Sequence, residues 1–236
     1  FWVTQAFNGL SYGALLFLLA SGLSLIFGVM RIVNLAHGSY FMLGGYVGLS
    51  VVWRTGSYPA AIFAGALAIG LVGAGMERLF LRRLPGQTLG QVLMTVGFAL
   101  IFQDLALLIW GGDPYSIQAP VALQGVLTAG AVRFPVYRIF MIVVAVGVGA
   151  ALWLALDRTR AGAMIRAAVD DREMAQGVGI NVPVVSLAVF ALGAALAAAG
   201  GVIGGGFIGV YPGSDFEMLP YAFVVVIVGG LGSLPG

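Results

Sequence analysis

The sequence predicts an all-α fold, a polytopic membrane helical bundle, and three observations carry that prediction. The 236 residues are 61% hydrophobic and 8% charged, with mean hydropathy +1.05, whereas soluble domains carry about 25% charged residues. The apolar residues fall into about seven runs, most close to the roughly 20 residues that cross a bilayer. Small residues recur at helical spacing within those runs, and the chain holds 37 glycines. In lipid, such stripes let helix backbones approach closely.

Residues 7–30 form the first run, in which Ala14, Ser21, Ser24 and Gly28 share a helical face. That face either packs a neighbouring helix or, through Ser21 and Ser24, borders a substrate pathway. The second run has its apolar core from Leu35 to Trp53 and is interrupted by Asn34, His37, Gly38, Gly44, Gly45 and Gly48. This pattern predicts a discontinuous helix, which membrane depth tolerates only where the backbone is buried in protein or lines a cavity. A third run, 59–76, carries Ala66, Gly70 and Ala74 as a contact stripe. It leads into a basic segment with Arg78, Arg82 and Arg83, closed by Pro85-Gly86. The fourth, 90–110, contains Gln103 and Asp104 and stops at Gly111-Gly112-Asp113-Pro114. Residues 111–135 are not apolar enough to span, and short apolar stretches around Ala129-Gly130 predict a small hairpin. The fifth run is 136–156. The sixth, 183–205, has Gly193, Ala197, Gly201 and Gly205 on successive turns, a flat surface for close packing. After a loop with Tyr211, Pro212, Gly213, Ser214, Asp215 and Glu217, the seventh run, 219–231, is short and ends in GGLGSLPG. The chain reads as one domain over 1–236. It starts at Phe1 with no signal peptide in view, and both ends look trimmed, so further spans are expected to be missing.

Charge is concentrated between the fifth and sixth runs. Residues 157–182 hold Asp157, Arg158, Arg160, Arg166, Asp170, Asp171, Arg172 and Glu173. If every run crosses once, the arginine-rich segments 77–86 and 157–182 and Arg31 share one side. The arginine-poor segments 111–135 and 206–218 share the other. Arginine bias in short loops then puts 157–182 in the cytoplasm and the N-terminus outside. Within it, residues 161–176 favour helix, stopped by Gly177 and Gly179. A single short helix is expected, with Met164, Ala167, Ala168 and Ala175 on its apolar side and an Arg166–Asp170 pair on the other. Such a surface either docks in a shallow groove of a partner or is a solvated loop that fixes topology.

Composition excludes several chemistries. With no cysteine and one histidine, thiolate metal sites, cysteine nucleophiles and histidine clusters are ruled out. All basic residues are arginine, so there is no Walker A lysine. If ATP is used, another chain binds it. A net charge of +2 gives no footprint for nucleic acid. No catalytic residue or metal site is expected.

The run RAG-x-x-x-RA-x-x-x-D-x-x-x-A-x-x-x-G-I, Arg160 to Ile180, resembles the cytoplasmic coupling loop of LivH-type permeases. These are membrane subunits of branched-chain amino acid ABC importers. Asn8-Gly9, the segment GLSLIFGVMRIVNLAHG with Asn34-Leu35-Ala36-His37-Gly38, FALGAALAAAGGVIGG and VVVIVGGLGSLPG match the family in the same order. The resemblance implies that Arg160, Gly162, Arg166, Ala167, Asp170, Asp171, Ala175 and Gly179 sit in the cleft of an ATPase subunit. Two such subunits would carry ATP and Mg, this chain binding no cofactor, and their closure would switch the pore between outward- and inward-facing states. A second permease subunit, LivM-type or an identical copy, and an extracytoplasmic substrate-binding protein would complete the complex. It would lie in the bacterial cytoplasmic (inner) membrane, and because family permeases continue beyond the GGLGSLPG turn, one or more C-terminal spans would be missing from this chain.

A zwitterionic cargo needs polar groups along its path, because unpaired polar burial costs several kcal/mol. Broken helices supply them in many transporters. Candidates for the pathway are Ser21, Ser24, Asn34, His37, Gly38, Tyr211 and Pro212. The orientation puts His37 near the inner end of its span, where it could equally be a locally bonded helix-start residue. Asp104 is the one acid well inside a span, in a structural or a transport role. A permease for urea or short amides shares these features. An ion-coupled secondary transporter would need more buried ionisable residues and no coupling loop. A purely structural membrane protein would leave the broken segments without a purpose.

Overall fold

A computed structural model describes residues 2–129 and 132–230. The helices are α1 (Trp2–Met30), α2 (His37–Thr55), α3 (Tyr58–Leu79), α4 (Thr88–Trp110), α5 (Val136–Arg158), α6 (Arg160–Asp170), α7 (Arg172–Gly177), α8 (Val182–Gly205) and α9 (Ser214–Gly229). A two-stranded antiparallel hairpin, β1 (Val126–Ala129) and β2 (Val132–Pro135), pairs Leu127 with Phe134. Gly130, where the sequence expectation put the hairpin, and residues 231–236 of the GGLGSLPG motif and seventh run, lie outside the described residues.

Each of the seven apolar runs is helical over most of its described residues. Segments Trp2–Met30, Tyr58–Arg83, Thr88–Trp110, Val136–Arg158 and Val182–Gly205 are long and apolar enough to cross a membrane. The other two, α2 and α9, are the irregular runs, and both start inside the bundle. His37 Nε2 lies 2.9 Å from the carbonyl oxygen of Leu19, in the middle of α1. Ser39, in the first turn of α2, donates to Asp215 Oδ2 in the first turn of α9 at 2.8 Å.

The glycines of the second run do not interrupt it, contrary to the sequence expectation. Helix α2 is continuous from His37 to Thr55, and the break falls before it, at 31–36. There Arg31 takes a left-handed φ of 52°, and Asn34 Oδ1 accepts from the Ala36 N–H at 3.1 Å. The glycines instead form a contact surface. A Cβ on Gly44 would stand 2.3 Å from Ala198 Cα, and one on Gly201 would stand 1.8 Å from the Phe41 carbonyl oxygen. Backbone-to-backbone contact between α2 and α8 at Gly44 and Gly201 compensates the roughly 1 kcal/mol propensity deficit of a helical glycine there.

Helix α8 is the centre of the bundle, packed by α1, α2 and α3. Its Gly193 meets Gly22 of α1, where an added Cβ would come 2.6 Å from the Gly22 carbonyl oxygen. On α3 the buried stripe is Gly65, Ile69, Gly70 and Gly73, while Ala66 and Ala74 are half-buried at its edge. The stripe rotates towards the residues without a Cβ because they permit the closest approach to α8. By contrast, α4 and α5 lie at the periphery, with few buried positions.

One end of the bundle gathers the segments 31–36, 80–87 and 159–181. Arg82 Nη2, after α3, donates to the Pro183 carbonyl oxygen at the start of α8 at 2.8 Å. The other end gathers the hairpin, the 111–125 segment and the 206–213 loop. Tyr115 and Val210 exchange backbone hydrogen bonds there at 2.9 and 2.7 Å, and Phe134 packs edge-on to Phe7.

Candidate functional site

The charged segment between α5 and α8 folds as two helices rather than the single one expected over 161–176. Thr159 caps α6, its hydroxyl accepting from the Gly162 N–H at 3.0 Å. Asp171 then leaves the helix in an extended conformation and caps α7, accepting from the N–H groups of Glu173 and Met174, both at 3.0 Å. A short acidic side chain that satisfies two otherwise orphan N–H groups stabilises a break at that position. Arg166 turns back to donate to the Leu156 carbonyl oxygen at the end of α5 instead of pairing with Asp170. Among the described residues the ion pairs are Arg82–Glu77 and Arg158–Asp157.

The eight coupling candidates divide by burial. Arg160, Asp170, Asp171 and Gly179 are exposed, Arg166 and Ala167 half-buried, and Gly162 and Ala175 buried within the chain itself. A Cβ on Gly162 would stand 2.1 Å from the Leu156 carbonyl oxygen, so this glycine lets α6 fold tightly onto α5. Gly179, with φ 90°, makes the turn towards α8. The expected apolar docking side is also divided. Ala168 and Ala175 pack with Leu25, Val29, Val182, Val185 and Val189, under the ends of α1 and α8. What faces outwards is Met164, Met174 and Val178 among the charges.

A cavity of about 340 Å³ opens beside this segment. Phe17, Ser21 and Ser24 of α1, Trp153 and Asp157 of α5, Arg166 of α6 and Val225 of α9 are among its lining residues. It thus brings Ser21 and Ser24 into one space with the coupling candidate Arg166. Ser21 meanwhile bonds back to the Leu18 carbonyl oxygen at 3.0 Å.

The other candidates meet deeper in the bundle. Asn34, His37, Ser39 and Asp215 are buried where the first turns of α2 and α9 converge. Gly38 fits this junction because a Cβ would stand 2.2 Å from the Asp215 carbonyl oxygen. His37 starts its helix, as one sequence reading had it. Its partner is nevertheless the middle of α1 rather than a local group near the surface, and its Nδ1 has no partner among the described residues. Sequence reasoning missed Ser39 and Asp215. The available signal was an acid just after the Pro212-Gly213 turn, a helix-start pattern, but its burial depends on a contact 176 positions away. An acid in the first turn of α9, beside the first turn of α2, lies in the favourable field of helix N-termini. Tyr211 and Pro212 sit in the loop above, half-buried. The Tyr211 hydroxyl donates to Glu217, which with partial burial pushes its pKa up to about 12. Asp104 stands apart from all of these, exposed on the outer face of α4.

Residues 5–236 match the family described as branched-chain amino acid transport system / permease component. The chain belongs to this family. Among curated relatives, the permease is 30% identical over 251 residues to the high-affinity branched-chain amino acid transport system permease protein BraD of Pseudomonas aeruginosa, covering 100% of this chain and 81% of that one. It is 29% identical over 252 residues to LivH of Escherichia coli, with the same coverage. A probable branched-chain amino acid transport permease, LivH of Methanocaldococcus jannaschii, is 27% identical over 235 residues, 95% of this permease and 73% of the relative. No solved structure matches significantly.

Proposed function

We propose that this permease is the membrane subunit of an ATP-binding-cassette importer that moves branched-chain, hydrophobic amino acids into the cell by alternating access. The observation that carries the reading is the α6–α7 unit with its cavity. A capped, charged pair of short helices sits at the arginine-rich end, and Arg166 on it walls the same space as Ser21 and Ser24. A push on α6 therefore changes the wall of that space. The positive-inside bias makes this end cytoplasmic and the N-terminus extracytoplasmic, in the bacterial cytoplasmic membrane. ATP and Mg belong to two ATPase subunits docked on α6–α7, so the permease itself is not catalytic. A second permease subunit completes the pathway, and a substrate-binding protein delivers cargo to the end formed by the hairpin and the 206–213 loop. The names of BraD and LivH support branched-chain amino acids as the cargo.

The test is uptake of labelled leucine by the reconstituted complex, with amino acids and urea as competitors. Leucine uptake that requires ATP and is competed by isoleucine and valine is the expected result. Uptake that survives ATP depletion but collapses with the proton gradient overturns the importer reading, and competition by urea alone reassigns the cargo.

A further inference from the structure

The outer face of α4 carries a pattern that neither transport nor lipid exposure requires. Gly90, Leu93, Gly97, Leu100, Asp104, Leu107 and Gly111 follow one another at alternating spacings of three and four, the heptad seam of helices that pack against each other. Inside the bundle, α4 uses a different stripe, burying Thr95, Ala99, Phe102 and Ala106. The seam points away from it: Leu93, Leu100 and Leu107 are 62%, 50% and 50% exposed. A Cβ on Gly97 would meet nothing within 4 Å, leaving a hollow between the leucines.

Asp104 decides what fills that seam. It is exposed and makes no hydrogen bond or ion pair with any described residue. It lies six residues before the end of α4 at Trp110, about 9 Å along the axis at 1.5 Å per residue, too far for so short a side chain to reach the interface. Acids at such depth face protein or water and find partners. Acyl chains provide none. A second copy of this chain, related by a two-fold axis along the membrane normal and paired seam to seam, would set one Asp104 against the other, and like charges repel.

We propose that the α4 seam is the contact surface for a transmembrane helix of a second, non-identical permease subunit, which presents a hydrogen-bond donor or a cation to Asp104. The proposal rests on the two-permease importer described above and names which face joins the halves.

The chain has no cysteine, so single cysteines report contacts directly. In membranes from cells co-expressing both permease subunits and the ATPases, Gly97→Cys, Leu100→Cys and Leu107→Cys are expected to cross-link to the second permease subunit. Yields should be several-fold above those of Leu105→Cys and Ile109→Cys, which are exposed but off the seam. Equal yields at both sets, seam cysteines that fail to cross-link because a further span of this chain covers them, or cross-links mainly between copies of this chain, overturn the proposal. Asp104→Leu is expected to reduce the co-purified second subunit about tenfold, as loss of a hydrogen bond to a charged group does, with the abundance of this chain preserved. Asp104→Asn should restore most of it. Undiminished co-purification with Asp104→Leu also overturns the proposal. Leucine uptake by the wild-type complex is scored separately: seam cross-links without ATP-dependent uptake sink the importer reading and leave the interface standing.

Discussion

A single methyl group at Gly201 would decide where two helices can lie. Its Cβ would fall 1.8 Å from the Phe41 carbonyl oxygen and 3.0 Å from the Gly45 nitrogen, both backbone atoms of α2 that no rotamer change can move aside. Gly201→Ala must therefore separate α2 from α8. Overpacking in a well-packed core costs about 1–3 kcal/mol, and contact with backbone puts this site at the upper end. The thermal midpoint of the purified permease should fall accordingly. Gly147→Ala on α5, where an added Cβ meets nothing within 4 Å, should leave it unchanged or raise it, since helix propensity adds up to roughly 1 kcal/mol of stability. If both variants melt alike, the close α2–α8 contact is wrong. The same contact explains why the sequence suggested a broken second helix. Glycines at 44, 45 and 48 look alike whether they interrupt a helix or seat one against its neighbour, and only the partner surface distinguishes the two.

At the scale of elements, a buried acid ties α3 to α8. Glu77 is 2% exposed and accepts from Arg82 Nε and Nη2 at 3.2 and 2.9 Å. The same guanidinium reaches the Pro183 carbonyl oxygen at the start of α8. A cation near a helix N-terminus is in an unfavourable field, so the contact with α8 depends on Glu77 to offset it. Arg82→Ala would strand the carboxylate. Breaking a buried pair from one side costs about 3–5 kcal/mol, and the one-third exposure of Arg82 favours the lower figure, about 3 kcal/mol. Adding Glu77→Gln should recover much of the loss of thermal midpoint, and a double variant no better than Arg82→Ala would count against the pairing. Elements were legible in the sequence to the extent that local physics sets them. The seven apolar runs, the small-residue stripe of α8 and the hairpin come directly from periodicity and turn residues. The break at Asp171 was less legible, since its residues favour helix and only the capping side chain reveals the interruption.

For the whole molecule, the division of arginines between the two ends was readable from loop composition. The fold gathers Arg78, Arg82, Arg83, Arg158, Arg160, Arg166 and Arg172 around the α6–α7 end. The depth at which α2 and α9 begin was not readable, because it depends on contacts such as His37 to Leu19 and Ser39 to Asp215 that join distant parts of the chain. Candidate sites fared similarly. The charged segment does fold as a unit between α5 and α8, but the expected docking alanines are inside: Ala168 and Ala175 hold α6 and α7 under α1 and α8. A partner docked on this segment as proposed would meet Met174 and Val178 instead, 69% and 77% exposed on either side of the α7 C-terminus. Apolar side chains of this kind anchor interfaces, and a charge buried there without a counterion is costly. Met174→Glu and Val178→Glu should therefore weaken ATPase co-purification by about tenfold or more, equivalent to at least 1.4 kcal/mol. Neither change touches the packing of Ala168 or Ala175, so the melting temperature of the permease alone should hold. Ala175→Glu should instead lower that temperature, because it buries a charge within the chain. The opposite pattern, with ATPase retained by Met174→Glu and Val178→Glu at normal stability, would count against docking through this face.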